Sequence, residues 1–297
     1  MLNKILLNFG ILVIRTIGLL PYRLTYCLFP FISRITYLLA SRHRKIAIKN
    51  IKACFPDSMS DEKADEIAKA CFKNLTLMFL DLCRMPRITK DNFREYIHFE
   101  GLENIHEAEK RGKGILVCTG HFGSWELLPH AWSLYHGRPA HVVVRPLDSK
   151  VADKVLSYFR TFTGNRLIAK KKALMPIMKA LATNDVVGTL HDQNVKKREG
   201  IFVDFFGMKA CTTFAPALIG LRTGGAVIPA YIVREGINSY RIIFEKEVTA
   251  PRGMEKEEAI FYITQTITKS LENMIRKYPE QWFWVHRRWK TKPAKSD

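Results

Sequence analysis

The chain has 297 residues, 47% hydrophobic and 25% charged, a balance that excludes a disordered or low-complexity protein. Lys and Arg number 47 against 28 Asp and Glu, a formal charge of +19, so the partners this composition favours are anionic: nucleic acid or a negatively charged membrane surface. The six cysteines lack CxxC or zinc-finger spacing and the histidines are scattered, which excludes a disulfide framework, leads us to expect no metal, and suits a reduced, cytosol-facing catalytic domain.

Residues 5–22 are strongly apolar but carry Arg15 near their middle, and a second apolar stretch, 24–40, contains Pro30 and Arg34. A central Arg costs a spanning helix roughly 2.5–3.5 kcal/mol on insertion, and no small-residue cleavage site of a signal peptide follows. Three readings remain open: an embedded or interfacial anchor, which we favour, a spanning helix with a snorkelling Arg, and a buried helix. The basic run Arg42-His43-Arg44-Lys45 follows at once, as a positive cytoplasmic flank would. We therefore expect a membrane anchor over 1–40, a helical segment over 41–95 and a catalytic α/β domain over 96–297.

The spacing predicts a helix over 60–85, with Ser60 as N-cap, acidic residues in the first turn and Pro86 at the end. Beyond it the pattern changes to short apolar runs, 115–119, 141–144, 186–190 and 226–233. Helical stretches lie between them at about 124–136, 150–163, 172–183 and 212–223. Strands alternating with helices predict a mainly parallel sheet flanked by helices. Residues 240–244 should return antiparallel to 226–233 through a turn at 235–238, and a long helix should run over 256–277.

The strand at 115–119 leads into Gly120-His121-Phe122-Gly123-Ser124-Trp125-Glu126. In open α/β sheets ligands gather beyond the carboxyl ends of the strands, so His121 stands where a catalytic residue belongs. Two residues five apart on one regular helix lie about 140° apart around its axis. His121 can thus reach Glu126 only if it sits in the loop while Glu126 opens the next helix, with Gly120 and Gly123 allowing the bend. A carboxylate on one ring nitrogen fixes the tautomer and frees the other nitrogen to take a proton from an alcohol. A turn histidine beside a surface glutamate would show the same spacing.

At this point the chain resembles a family. His121-Phe122-Gly123-Ser124-Trp125-Glu126 is similar to the H-x4-D/E block of the lysophospholipid acyltransferase superfamily, and its Glu points to the bacterial lipid A biosynthesis (lauroyl/myristoyl) acyltransferase branch. Further blocks agree in order: Val144-Arg145-Pro146-Leu147-Asp148, then Asp192-Gln193-Asn194 with Gly200 and Phe205-Phe206-Gly207, then the run from Pro279 to Trp289. The resemblance spans roughly residues 40–290 and includes an apolar N-terminal anchor.

It implies a glycerol-3-phosphate acyltransferase-like fold with an N-terminal membrane-associated helical segment. By position, His121 matches the general base, Glu126 its orienting carboxylate, and Arg145 a residue that stabilises the oxyanion or a phosphate of the acceptor. Gly123, Ser124, Asp192, Gln193, Arg287 and Arg288 are the expected substrate-binding residues, with a purely structural closing block as the alternative for the arginines. Ser149 departs from the Asn that often follows the R-P-x-D pattern.

The implied activity is transfer of a fatty acyl chain from acyl-acyl-carrier protein to a hydroxyl of a lipid A precursor or related anionic glycolipid. Coenzyme A thioester is the alternative donor, and no cofactor is expected. The implied setting is the bacterial inner membrane, with the catalytic domain facing the cytoplasm and in contact with membrane lipids. A lysophospholipid or another glycolipid is the alternative acceptor. A non-catalytic basic protein binding membrane or nucleic acid is the alternative from another class, and no nucleic-acid reader motif supports the latter. No G-x-S-x-G elbow, P-loop, G-x-G-x-x-G or H-E-x-x-H motif is present.

Overall fold

A computed structural model gives the fold; it describes residues 2–294, with side chains from residue 4. Two helices open the chain, α1 (Leu2–Leu19) and α2 (Tyr22–Leu39), joined at a 116° bend. Pro21 lies at the break, where a ring without an amide hydrogen cannot continue the helical ladder. No described helix is by itself long and apolar enough to cross a membrane; α1 and α2 meet that test only together, as a bent pair.

Next come α3 (Ser41–Cys54) and α4 (Asp61–Arg84). The latter starts where its sequence predicts: the Ser60 hydroxyl accepts from the Lys63 N–H at 3.2 Å, and Asp61 and Glu62 face the positive end of the helix dipole. It gives way to a short 3₁₀ turn, Met85–Arg87, at Pro86. α1 packs on α4 at close range, because a Cβ on Gly18 would stand only 2.1 Å from the Cys83 carbonyl oxygen. The short α5 (Phe93–Tyr96) completes the helical first third.

The rest alternates: β1 (Ile97–Glu100), α6 (Leu102–Lys110), β2 (Ile115–Thr119), α7 (Leu127–His136), β3 (His141–Val144), α8 (Lys150–Arg160), β4 (Arg166–Ala169), α9 (Leu174–Ala182) and β5 (Val186–Leu190). A hairpin, β6 (Gly200–Phe205) and β7 (Met208–Thr213), leads to α10 (Ala215–Thr223), β8 (Ala226–Gly236), β9 (Ser239–Phe244) and α11 (Lys256–Lys277). Seven strands form one sheet in the order β1-β9-β8-β2-β5-β3-β4, parallel throughout except for the antiparallel β8–β9 pair, and the hairpin stands apart from it.

β2 lies between β8 and β5, and all five of its residues are buried. Its side chains alternate: Ile115 and Val117 enter the core shared with α7, α8 and α1, whereas Leu116 and Cys118 enter the core beneath α9, α10 and α11. Each buried Ile, Leu or Val of this strand contributes about 1.5–3 kcal/mol by its removal from water. A third core joins α3 and α4 to Phe205, Trp282 and Trp284. The described cysteines are all free, and only Cys27 is exposed.

Two expectations shift. The helix predicted over 212–223 begins at Ala215, because Thr212 and Thr213 belong to β7 and pair with Ile201 and Gly200. The helix predicted from 124 begins at Leu127, which leaves the whole His121–Glu126 block in irregular backbone.

Candidate active site

The parallel register of the two central strands builds the site. Thr119 of β2 pairs with Leu190 of β5, and continuing that register two residues beyond both ends brings His121 beside Asp192. The His121 Nδ1 lies 2.7 Å from Asp192 Oδ1, and the His121 backbone N–H donates to Oδ2 at 2.9 Å. The Trp282 indole N–H donates to the same Oδ2 at 2.9 Å. With no exposed side-chain surface, the Asp192 carboxylate would be costly to bury without these three donors.

A second strand-like contact fixes the loop. Phe122 and Trp282 form an antiparallel bridge, in which the Gly123 N–H donates to the Gln281 carbonyl at 2.8 Å and the Phe283 N–H donates to the His121 carbonyl at 3.0 Å. Gly123 has φ +60°, and a Cβ there would sit 1.7 Å from the Ile232 carbonyl oxygen. No side chain fits, which is why glycine stands at this position.

The imidazole is held between aromatic rings. Trp125 meets it edge-on with centroids 5.2 Å apart, and Phe283 lies 5.7 Å away. Its Nε2 points away from Asp192 towards the exposed Gln193 amide, 3.4 Å distant. Burial pulls the His121 pKa down, but the Asp192 charge and hydrogen bond outweigh it, so the imidazole's pKa is raised. For Asp192, burial pushes upward, and the adjoining His121 pulls the carboxyl well below the usual range. The pair is thus built to hold a proton on Nδ1 and to stabilise a positive imidazolium.

Several expected site residues stand elsewhere. The carboxylate against the imidazole belongs to Asp192, not Glu126. Glu126 takes a bidentate pair from Arg160 of α8, Nε to Oε2 at 2.8 Å and Nη2 to Oε1 at 2.5 Å, both side chains being largely buried. Its charge still reaches His121 and helps raise the imidazole pKa, with Arg160 opposing it. Arg145 is 78% exposed, and its ion-pair partner is Asp148 at 3.6 Å, not the dyad.

Ser124 has 0% of its surface exposed and donates to Asp81 Oδ2 at 2.6 Å, so its hydroxyl is committed to the protein. Gly123 is likewise closed off by Ile232. Arg288 is buried, donating to the Cys211 carbonyl at 3.0 Å and to the Thr212 hydroxyl, and burial pushes its pKa down to about 10. It closes the hairpin onto the C-terminal segment. Arg287 is exposed; of the expected binding residues Asp192 and Gln193 face His121, Asp192 as the buried partner of Nδ1 and Gln193 on the side of Nε2. Arg160 and Trp282 were absent from the expected set; neither Arg160 within a helix nor an indole in an aromatic run advertises its partner in sequence. No cluster of His, Cys, Asp and Glu among the described residues could hold a metal ion.

The sequence profile of bacterial lipid A biosynthesis acyltransferase matches residues 1–291. The chain is 26% identical over 277 residues to a lipid A biosynthesis palmitoleoyltransferase of Escherichia coli (strain K12), covering 93% of this chain and 88% of that protein. It is 25% identical over 287 residues to the lipid A biosynthesis lauroyltransferase of the same organism, covering 96% and 91%. A phosphatidylinositol mannoside acyltransferase of Mycolicibacterium smegmatis is 21% identical over 228 residues, covering 76% and 73%. With nearly its whole length matched, the chain is an acyltransferase and belongs to the bacterial lipid A biosynthesis acyltransferase family.

Proposed function

We propose that this enzyme transfers a fatty acyl chain from acyl-acyl-carrier protein to a hydroxyl of a lipid A precursor, with His121 as general base. The observation that carries the reading is the buried Asp192 on Nδ1, which leaves Nε2 facing the exposed Gln193 amide. In this mechanism Nε2 takes the proton of the acceptor hydroxyl as its oxygen attacks the thioester carbonyl. The tetrahedral intermediate collapses with the carrier thiolate leaving, and the imidazolium returns the proton to that sulfur. Backbone N–H groups where the loop enters α7 are suited to the oxyanion. Exposed cations, Arg145 and Arg287 among them, suit a phosphorylated acceptor, since the guanidinium fork can hold two phosphate oxygens.

The test is to incubate the purified protein with bisphosphorylated lipid A precursor and either acyl-acyl-carrier protein or acyl-coenzyme A, and to weigh the lipid products. We expect one added acyl ester with the carrier-protein donor, and weaker transfer to a dephosphorylated precursor. Transfer only to a neutral lysolipid would overturn the acceptor, and transfer only from coenzyme A would overturn the donor.

We further propose that α1 and α2 lie embedded in the cytoplasmic leaflet of the inner membrane. Phe9, Leu12, Leu19, Phe31, Leu38 and Leu39 are exposed on these two helices, an apolar surface unsuited to water. Their 116° bend suits insertion without crossing. Detergent should therefore release the protein from membranes, while high salt, which shortens the Debye length to about 3 Å at 1 M, should not. Release of most of the protein into the salt wash would refute an embedded pair.

A further inference from the structure

A small cavity of about 100 Å³ lies outside the His121 site, and two arginines of its wall reach the bend between α1 and α2. Asp81, Arg84, Arg87, Tyr96, Asn238 and Tyr240 line it. Arg84 Nη1 donates to the Leu20 carbonyl at 3.3 Å and to the Thr25 hydroxyl at 3.4 Å, while Arg87 Nη1 donates to the Gly18 carbonyl at 3.2 Å. Both guanidiniums thus grip the carboxyl end of α1, each by one nitrogen. Among the described residues neither forms a salt bridge; the Arg84 guanidinium lies over the Tyr22 ring, 4.4 Å from its centroid, and Arg87 is exposed.

The one carboxylate on the wall does not balance them. Asp81 is already taken by Arg234, by the Tyr240 hydroxyl at 2.5 Å and by the Ser124 hydroxyl at 2.6 Å. The cavity wall therefore carries two guanidiniums that no carboxylate pairs, one stacked on an aromatic ring and one open to solvent. Burial, and after it the neighbouring Arg87, lower the Arg84 pKa. At roughly 30 Å³ per water the space equals about three waters, which suits one tetrahedral oxyanion. Leu19 and Leu24, both exposed, flank the bend and would meet acyl chains if the anion were a lipid headgroup.

We propose that this cavity is a phosphate-binding site, in which Arg84 and Arg87 take the oxygens of a phosphate mono- or diester anion and so tie the bend of α1 and α2 to that ligand. The inference rests on the charges and contacts of the cavity and is independent of the acyl-transfer reading. The anion could come from two sources, an anionic lipid headgroup or free phosphate, and one experiment separates them.

The full-length protein in a neutral detergent is titrated with dihexanoyl phosphatidic acid, dihexanoyl phosphatidylcholine and inorganic phosphate, and binding is read by calorimetry and by thermal shift. We expect the anionic lipid to bind saturably and phosphatidylcholine to bind more weakly by about tenfold, with Arg87→Gln and Arg84→Gln each weakening the anionic lipid by about tenfold. Arg87 is exposed and holds α1 by a single bond, so its variant keeps the test valid if Arg84→Gln loosens the bend. Inorganic phosphate bound as well as the lipid, with the same loss in the variants, would identify free phosphate as the ligand; binding of the lipid alone would identify a headgroup. His121→Ala should bind as the wild type does, which separates this site from the catalytic one. Unchanged affinity in the folded Arg87→Gln protein, or no saturable binding of either anion, would overturn the proposal.

Discussion

Asp192→Asn is expected to lower kcat by about 10³- to 10⁴-fold, close to the effect of His121→Ala, although the substituted side chain keeps its size. The amide removes the negative charge that stabilises the imidazolium. It also offers N–H groups to a ring nitrogen that must itself carry the proton, so the neutral imidazole is driven to the wrong tautomer. Glu126→Gln should cost less, because Glu126 meets Arg160 and not the ring. The pH dependence carries a second signature. A general base works only when deprotonated, and the His121 pKa is raised above 6.5, so kcat/KM should fall as pH drops through a value above 6.5. Burial lowers that pKa and the Asp192 charge raises it, so removing the charge must move the acid limb of the residual activity to lower pH. Steady-state kinetics from pH 5 to 9 on wild type and both variants decide the matter. Wild-type kcat/KM in folded Asp192→Asn protein, or Glu126→Gln as the more damaging change, would return the orienting role to Glu126.

That reassignment shows what the sequence could and could not yield. Short apolar runs located β2, β3, β5 and β8, and β9, whose burial alternates along the strand, followed from the turn before it. Edge strands were less visible: β1 holds His98 and Glu100, β4 begins at Arg166, and each is four residues long. The motif spacing placed His121 at the strand end but sought its carboxylate along the chain, at Glu126. The partner lies across the sheet instead. Once β2 and β5 are known to be adjacent and parallel, the offset of Thr119 and Leu190 predicts His121 beside Asp192. Strand adjacency is a property of topology, and nothing local in either segment encodes it. Arg288 teaches the complementary lesson: an Arg among aromatics reads as a ligand contact, yet here the guanidinium is buried on Cys211 and Thr212.

The site's rigidity depends on a buried charge pair that motif reading did not single out. Asp81 of α4 accepts from Arg234 of β8, from the Tyr240 hydroxyl of β9 and from Ser124 in the loop that carries His121. Arg234 also donates through Nε to the Asn74 side chain at 3.3 Å, and Asn74 reaches the Gly123 carbonyl at 3.4 Å. One carboxylate therefore ties the helical first third to the sheet and to the catalytic loop. Asp81→Ala would strand the Arg234 guanidinium, which is only 11% exposed, and would leave Tyr240 and Ser124 without an acceptor. Loss of one partner from a buried pair costs about 3–5 kcal/mol, which for a chain of this size lowers Tm on the order of 10 °C. The double variant Asp81→Ala, Arg234→Met should recover much of that loss, because it removes the orphaned charge as well as its partner. Thermal denaturation of both variants, monitored by circular dichroism in neutral detergent, measures the coupling directly. A single variant within about 1 kcal/mol of wild type, or a double variant no more stable than the single, would mean that Arg234 finds water or another acceptor and that the pair does not brace the loop.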